Sequence, residues 1–330
     1  TSPSVYIKFP IVSTTKEFLK GASAVIWTTT PWTLPANRAI SFKPDTSYSV
    51  VRVPGQPPLL IATDLISKVT EVAGLEGASI THSFSSTELE GVIAAHPLRG
   101  QGYDFDVPLL AGDHVTLDQG TGLVHTAPSH GVDDFQISLA HGIDVPSLVG
   151  EDGVYYDHVP LFAGHHIFKA DTPVLEAIDH AKGLLYQTTM RHSYPHSWRS
   201  KAPLIYRATP QWFISMDTHE LRQKALREID KVAWYPSQAR NRIYSMVENR
   251  PDWCVSRQRA WGVPIALFVS KKTGEPLRDP EVNRRIVMAF EQEGADSWYT
   301  TDPQKFLGPQ YKSHDFEQVR DIVDVWFESG

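Results

Sequence analysis

The stretch that decides the fold is AVIWTTTPWT, residues 24–33. Its first four residues form the apolar run typical of a buried β-strand, and three threonines and a proline follow directly. Proline fixes the backbone of such a turn, and threonine hydroxyls at a strand end can offer hydrogen bonds to a small polar ligand. Threonine also suits strands and turns that bind nothing. The stretch therefore predicts a strand that ends in a polar turn, whose role is either ligand binding or structure.

The residues on both sides of this stretch extend the β pattern through the first half of the chain. A helix over residues 63–73, closed by Gly74, interrupts it, and a second helix is predicted to start at Asp133 or Asp134 and to end at Gly142. Further strands are predicted at Tyr48–Val53, Leu59–Ile61, Val92–Ala95 and Gly122–His125. Short strands therefore dominate the first half.

The composition changes near residue 190, where Pro, His and Arg become frequent. A helix is predicted to open at Asp217–Glu220, whose spacing fits a capping box, and another is predicted over Glu281–Glu293, with Gly294 as its stop. The fold class is therefore mixed α/β. We predict two domains, residues 1–190 and residues 191–330.

Composition limits the environment and the partners. The 330 residues contain one cysteine, Cys254, so an internal disulfide is impossible and a reducing, cytoplasmic location is expected. No apolar run reaches membrane-spanning length, and the missing initial Met suggests a piece of a longer protein.

The net charge is -7, yet residues 191–259 carry 13 Lys or Arg against 6 Asp or Glu. That stretch is either a nucleic-acid surface or a solvated charged face.

A second polar cluster is GTGLVHTAPSHGVDD, residues 120–134. Asp133 suits a helix cap, whereas Asp134 suits a ligand group that pairs with a cation such as an ammonium. His125 and His130 are candidates for a metal ligand, a general base or a pocket wall, although no third ligand stands at a recognisable metal spacing. Cys254 has no histidine nearby in the sequence and no Gly-x-Ser-x-Gly elbow is present, which disfavours a covalent nucleophile.

Aromatic and basic residues alternate over residues 250–262. Planar rings and guanidinium groups hold single-stranded nucleic acid by stacking and by pairing with phosphates. The residues suited to that role are Arg250, Arg257, Arg259 and Trp261. A packed tryptophan cluster with surface arginines is the alternative interpretation.

Together these strings resemble one family. TTTPWTLPANRAI, residues 28–40, closely resembles the threonine-rich editing motif of isoleucyl-tRNA synthetases, and residues 120–134 resemble their second editing motif, with His125 and Asp134 at its functional positions. Residues 207–213, 250–264 and 324–330 resemble segments on the catalytic-domain side of these enzymes. The similarity spans almost the whole chain in the expected order.

The resemblance implies an irregular β-barrel-like editing domain, called CP1, followed by an α/β segment that leads back toward the catalytic domain. The implied activity is hydrolysis of valine wrongly attached to isoleucine tRNA, by oriented attack of water on the ester. The implied catalytic residues are Thr28, Thr29, Thr30, His125 and Asp134. The implied substrate-binding residues are Trp32, Asn37, His125 and Asp134, while Arg250, Arg257, Arg259 and Trp261 are expected to bind tRNA.

Two departures from the family pattern limit what is expected of these residues. The nucleotide-binding signatures His-Ile-Gly-His and Lys-Met-Ser-Lys-Ser are absent from the 330 residues, so ATP-dependent charging, which uses ATP and magnesium in the full-length ligase, is not expected here. Ser197 and Ser200 stand where some members place zinc-binding cysteines, so no metal is expected.

The expected partners are isoleucine tRNA and its valyl group, with no membrane, and the expected state is a monomer. Two alternatives remain open. One is a module that binds tRNA without catalysis. The other is a metal-dependent hydrolase that uses His125, His130 and Asp134.

Overall fold

The computed structural model describes residues 1–329, and the chain divides into two compact units, Thr1–Thr209 and Pro210–Gly330. The division lies after the predicted boundary at residue 190, because residues 191–209 are tied to the first unit. His192 Nε2 lies 2.9 Å from Ser2 Oγ, and Ala208 N donates to Ser129 O at 2.9 Å. We call residues 191–209 the strap. In the described part of the chain no helix is both long and apolar enough to span a bilayer.

The first unit is built on strands, with three α-helices between or after them. Its elements are β1 (Ser2–Ser13), β2 (Ser23–Thr28), β3 (Ala39–Phe42), β4 (Ser47–Arg52), β5 (Leu59–Ala62), α1 (Ile66–Val72), β6 (Ser79–Ser85), β7 (Ile93–Ala95), β8 (Asp106–Ala111), β9 (Leu123–Thr126), α2 (Val132–Ala140), α3 (Asp171–His180) and β10 (Leu184–Met190). Short 3-10 turns span Glu17–Leu19, Pro31–Ala36, Thr63–Leu65, Ser86–Leu89 and Ile167–Lys169. The strands predicted from the sequence are confirmed as β2, β4, β5, β7 and β9.

The ten strands form one mixed sheet in the order β6-β4-β5-β2-β1-β7-β8-β3-β9, and β10 branches off β1. The long β1 joins the parts of the sheet, because it pairs antiparallel with β2, with β10 and, near its end, with β7. Its alternating apolar residues, with those of β2 and β5, form a fully buried core that includes Val5, Ile7, Phe9, Ile26 and Leu60. The mixed α/β class is confirmed.

The predicted barrel does not close. β9 lies against β2, but no ladder joins these two strands within residues 1–329. β2 pairs with β1 along its whole length, and its other edge pairs in parallel with β5 only at Ser23 and Ala24, so no ladder continues from β2 to β9. The sheet is therefore open and curled, and this curl brings the end of β2 beside the end of β9.

Glycine shapes the entry to β9. Gly122 has φ +74°, and a Cβ atom there would lie 2.4 Å from Cβ of Ala62. Only glycine allows the backbone to pack so tightly in this conformation.

The second unit is smaller and combines short two-stranded ladders with helices. Its elements are β11 (Phe213–Ile214), α4 (Leu221–Lys231), α5 (Ala239–Glu248), β12 (Trp253–Cys254), β13 (Ser256–Arg257), β14 (Phe268–Ser270), α6 (Pro280–Glu293), α7 (Ser297–Thr300), α8 (Pro303–Leu307), β15 (Phe316–Gln318), β16 (Ile322–Val323) and α9 (Val325–Glu328), with 3-10 turns at Thr218–Glu220 and Ser313–Asp315. The strands pair as β11-β12, β13-β16 and β14-β15. Its core packs α6 against Phe268, Trp298 and Phe306.

Candidate active site

A cavity of about 340 Å³ in the first unit brings together five of the seven residues predicted to act in catalysis or substrate binding. It is lined by the end of β2 and the 3-10 turn Pro31–Ala36, by the end of β9 and the start of α2, and by the strap. Its lining side chains include Thr28, Thr30, Trp32, Thr33, His125, His130, Asp134, His192, Tyr194 and Tyr206. Thr29 and Asn37, although predicted for the site, are not among the lining residues.

The turn after β2 is held rigidly from the outside. Trp32 N donates to Asp171 Oδ1 at 3.1 Å, and the Tyr155 hydroxyl donates to the Trp32 carbonyl. Both partners come from residues more than a hundred positions away, and no sequence motif marks them. Asp171 and Tyr155 are thus positioning residues that reading the sequence missed.

The backbone N–H groups of this turn are already occupied. Thr30 N donates to Thr28 Oγ1 at 3.0 Å, Trp32 N to Asp171, and Thr33 N to Thr30 O at 3.1 Å. These three N–H groups are therefore not free to donate to a ligand. The hydroxyls of Thr28 and Thr30 are better placed, because the Thr28 oxygen accepts a bond and keeps its hydrogen free, and the Thr30 hydroxyl has no partner within residues 1–329.

His125 lies at the end of a hydrogen-bond chain that defines its tautomer. Asn37 Nδ2 donates to Ala39 O at 2.9 Å, so its second hydrogen faces His125 Nδ1 at 2.8 Å. The Thr33 hydroxyl donates to Thr30 O at 2.8 Å and therefore accepts from His125 Nε2, 3.1 Å away. Asn37 is fully buried behind the imidazole, which explains its absence from the cavity surface.

The electrostatics of His125 agree with this arrangement. Burial, with smaller contributions from His96 and His130, lowers the pKa of His125 to about 3. The imidazole is therefore neutral near pH 7, and both of its nitrogens are engaged. Such a ring has no free lone pair for proton transfer and acts as a fixed wall.

Asp134 presents a carboxylate to the same cavity from the first turn of α2. Its Oδ2 accepts from Ala127 N at 2.9 Å, and burial raises the pKa of the Asp134 carboxyl. The helix begins after Gly131 without a side-chain cap, and Asp133 is exposed in the first turn. The predicted capping role of Asp133 is therefore wrong, because the backbone of α2 follows directly from Gly131 and the Asp133 side chain points to solvent.

His130 differs from His125 in its hydrogen bonding. Its Nδ1 lies 2.9 Å from the carbonyl oxygen of Tyr206 in the strap, so Nδ1 carries the hydrogen and Nε2 is left as an acceptor. Nε2 is buried and has no partner in the described part of the chain. The ring packs edge-on against Trp32, with centroids 4.8 Å apart, and burial lowers the pKa of His130.

The residues predicted to bind tRNA all lie in the second unit. Arg259 is exposed, Trp261 is 92% exposed, and Arg250 stacks over the Trp253 ring at 5.8 Å. Arg257 is different, because its guanidinium pairs with Asp324 and also donates to two backbone carbonyls of β12 and β13. Its charge is neutralised within the unit.

No group of three or more His, Cys, Asp or Glu with metal-binding geometry occurs within residues 1–329. His125, one of the three ligands of the metal-dependent alternative, has both ring nitrogens hydrogen-bonded. Ser197 and Ser200 lie in an exposed turn of the strap, where Ser200 N donates to Ser197 Oγ at 3.3 Å.

The first unit combines an open mixed sheet with a cavity lined by imidazoles, threonine hydroxyls and one carboxylate. Comparison with known proteins shows the family to which a chain with these features belongs. The chain belongs to the tRNA synthetases of class I (I, L, M and V), whose family model matches residues 9–330. Over its whole length it is 53% identical to the isoleucine--tRNA ligase of Gluconobacter oxydans and 46% identical to that of Pelagibacter ubique. The chain spans 37% of the length of each of these two relatives.

A similarity to a solved structure was also found. The crystal structure of GlLeuRS-CP1 aligns with 57% of this chain and with 100% of its own, at 12% identity and a TM-score of 0.45.

Proposed function

We propose that this chain performs the editing reaction of an isoleucine--tRNA ligase, the hydrolysis of the ester that joins valine to isoleucine tRNA. One observation carries the proposal: a single cavity of about 340 Å³ brings together the Asp134 carboxylate, the hydroxyls of Thr28 and Thr30, and a wall formed by His125 and Trp32. Each of these groups meets a separate requirement of that reaction.

The reaction is needed because valine and isoleucine differ by one methylene. A hydrophobic synthetic pocket discriminates between them by only about 1–3 kcal/mol, so a second and smaller site must remove the error. Such a site must admit valine, exclude isoleucine and bind the features that both share.

Asp134 recognises the shared feature, the ammonium group of the amino acid. Its Oδ2 accepts from Ala127 N, which holds the carboxylate in place, and its Oδ1 has no hydrogen-bond partner among the described residues. A charge-assisted hydrogen bond between ammonium and carboxylate anchors the substrate and so orients its ester. Asp134 therefore determines where the carbonyl carbon lies.

His125 and Trp32 provide the exclusion. The hydrogen bonds from Asn37 and to Thr33 prevent the imidazole from rotating. The bonds of Asp171 and Tyr155 fix the backbone that carries the indole, and the indole packs against the His130 ring. A wall that cannot yield rejects the extra methyl of isoleucine, because overfilling a rigid site is costly.

The hydroxyls of Thr28 and Thr30 can stabilise the oxyanion that forms when water adds to the ester carbonyl. Donors held in place before the reaction stabilise developing charge without reorganisation, and the loss of one such donor costs about 100- to 1,000-fold in rate. No enzyme nucleophile is required, since water attacks an ester that is already activated.

The finer assignments belong to the same proposal. The substrate is valyl isoleucine tRNA, the exposed Arg250, Arg259 and Trp261 of the second unit bind the tRNA, and the protein acts as a monomer in the cytoplasm. The hydrolysis needs no cofactor, whereas ATP and magnesium serve ligation by a full-length enzyme.

The test is to measure release of valine from valyl isoleucine tRNA by this chain, with isoleucyl isoleucine tRNA as the matched control. We expect hydrolysis of the valyl ester well above the spontaneous rate and little hydrolysis of the isoleucyl ester. Salt-dependent tRNA binding without hydrolysis would instead identify a binding module.

A further inference from the structure

Two of the three histidines that line the cavity, His125 and His130, differ in their hydrogen bonding. His125 uses both ring nitrogens, one with Asn37 and one with Thr33. His130 uses only Nδ1, on the Tyr206 carbonyl, and its Nε2 is a buried acceptor without a partner in residues 1–329. A buried polar atom that lacks a partner destabilises the fold, so an atom of this kind in a cavity wall points to a ligand or water that completes its hydrogen bonding.

We infer that His130 Nε2 accepts a proton from the water that attacks the ester, which makes His130 the general base of the site. The inference rests on the proposed function. His130 thereby takes the role of proton acceptor, which the hydrogen bonds of His125 exclude for that residue. The Tyr206 carbonyl of the strap acts as a positioning group, because it selects the tautomer of His130.

The ring of His130 is held in position from two sides. Trp32 packs edge-on against it at a centroid distance of 4.8 Å, and Tyr206 O fixes the opposite nitrogen at 2.9 Å. Tyr206 belongs to a strap that is itself attached through Ala208 N to Ser129 O, next to His130 in the chain. The orientation of Nε2 is therefore determined by backbone atoms as well as by packing.

Attack of water and collapse of the intermediate each transfer one proton through His130 Nε2. The water oxygen bonds to the ester carbonyl carbon, one water proton moves to His130 Nε2, and the carbonyl π electrons move to the oxygen that faces Thr28 and Thr30. When this intermediate collapses, the bond from the carbonyl carbon to the ribose oxygen breaks, and that oxygen takes the proton from His130 Nε2. Free valine and tRNA with its ribose hydroxyl result, and the imidazole returns to its neutral form.

The protonation of His130 gives this role a pH signature. Burial lowers the pKa of His130, so the ring is neutral and able to accept a proton at pH 7, and it loses this ability as the pH falls through that pKa. The titratable groups that face it are His125 from β9, Asp134 from α2, and His192, Tyr194 and Tyr206 from the strap.

The experiment compares His130→Gln with His141→Gln in hydrolysis of valyl isoleucine tRNA across a range of pH. Glutamine keeps a polar side chain but cannot accept a proton. His141 is a matched control because its Nδ1 also lies 2.9 Å from a backbone carbonyl, that of Ile137, whereas the residue is exposed and does not line the cavity. We expect His130→Gln to lower kcat by about 100- to 10,000-fold, to leave KM nearly unchanged and to lose the acidic limb of the profile. His141→Gln should retain both kcat and the limb.

A His130→Gln variant with the kcat and the pH profile of the unsubstituted chain would overturn the inference and leave the proposed function intact. Failure of the unsubstituted chain to hydrolyse the valyl ester would overturn both. Nitrogen-15 NMR of the imidazoles gives a readout that does not depend on activity or on the folding of a variant. We expect an unprotonated Nε2 at His130 near pH 7, and a protonated Nε2 would exclude the role.

Discussion

The two units of the chain place their polar side chains differently. In the first unit, Asn37, Ser41, His125 and Thr126 lie buried in the core and hydrogen-bond to one another or to the backbone. In the second unit the central cluster around Trp298 is apolar, and most ion pairs, such as Arg284–Glu281, lie on the surface. Buried polar groups must be satisfied, so they fix one geometry, whereas exposed pairs contribute little to stability and remain free to exchange partners.

This difference favours separate roles for the two units, with substrate orientation in the first and phosphate binding in the second. A rigid polar interior is what a site needs to orient a substrate and a water molecule, and exposed arginines are what a surface needs to bind phosphate. We therefore expect hydrolysis to depend on the first unit and tRNA affinity on the second.

Of the substitutions that test this comparison of the two units, and apart from His130→Gln, replacement of Asp134 should lower hydrolysis of the valyl ester the most. Asp134→Asn removes the charge that pairs with the substrate ammonium, and we expect hydrolysis of the valyl ester to fall by about 10- to 100-fold, since a hydrogen bond to a charged group contributes about 1.5–3 kcal/mol. Asp133→Asn is the matched control, because Asp133 is the exposed neighbour in the same turn of α2. Single-turnover hydrolysis and tRNA affinity are measured for both variants. Equal losses in the two, or a loss of tRNA affinity in Asp134→Asn, would contradict the assignment.

Shortening His125, which forms part of the cavity wall, should change the preference for the valyl ester over the isoleucyl ester. His125→Ala opens space beside Trp32, so the larger isoleucyl group can enter the cavity. We expect hydrolysis of isoleucyl isoleucine tRNA to rise by about 10- to 100-fold, which is within the discrimination that a site achieves between substrates differing by one methylene. The measurement is the ratio of valyl to isoleucyl ester hydrolysis by the variant and by the unsubstituted chain. If the variant lost valyl hydrolysis and gained none on the isoleucyl ester, His125 would be a proton acceptor rather than a wall.

The buried histidines should make the first unit sensitive to acid. Burial lowers the pKa of His125 to about 3 and that of His96 to about 4, below the ordinary value of 6.5. Above pH 6.5 both residues are neutral in the folded and unfolded chain. Below it the unfolded chain binds protons that the folded chain does not, so the free energy of unfolding decreases by up to about 1.4 kcal/mol per histidine per pH unit.

Hydrogen exchange, followed separately for amides of the two units between about pH 6.5 and pH 5, measures this effect. The carboxyl groups of Asp134 and Asp171, whose pKa values burial raises, act in the opposite direction at lower pH. The second unit contains only His219 and His314 among its described histidines, and both are exposed, so its stability should change less. An equal decrease in both units would show that the buried imidazoles are not the cause.

The smallest effect should be on the salt dependence of tRNA binding. Arg250 and Arg259 are exposed and carry no ion pair to an acidic residue in residues 1–329, whereas Arg257 pairs with Asp324. Removing one arginine that neutralises a phosphate lowers the slope of log affinity against log salt by about 0.7 for single strands, so the double variant Arg250→Gln/Arg259→Gln should lower it by about 1.4. Arg284→Gln, a substitution of an exposed arginine outside residues 191–259, is the control. An unchanged slope would remove these arginines from the tRNA surface.

Local signals were sufficient where the partners of a residue are its neighbours in the chain. The helix predicted over Glu281–Glu293 is α6, capped by Asp279 and ended by Gly294 at φ +81°. The capping box predicted at Asp217–Glu220 is wrong, because the Asp217 carboxylate accepts from Arg222 Nε instead of from the helix backbone. Arg222 in turn reaches the carbonyls at the end of α5 and at Arg250, and no local pattern reveals such a partner.

The sequence by itself determined the positions of β2, β4, β5, β7 and β9 and of the two polar motifs, because hydrophobic periodicity and turn residues act over a few positions. It also brought Thr28, Thr30, Trp32, His125 and Asp134 into consideration as one site. It did not reveal the long β1, which joins the parts of the sheet. Only the tertiary structure decided which hydrogen-bond partners these side chains have. Asn37 reaches His125 across 88 positions and Tyr206 reaches His130 across 76, and these contacts decide which imidazole is locked and which keeps a free nitrogen. A histidine's tautomer depends on the atoms around its ring, and folding alone brings those atoms together.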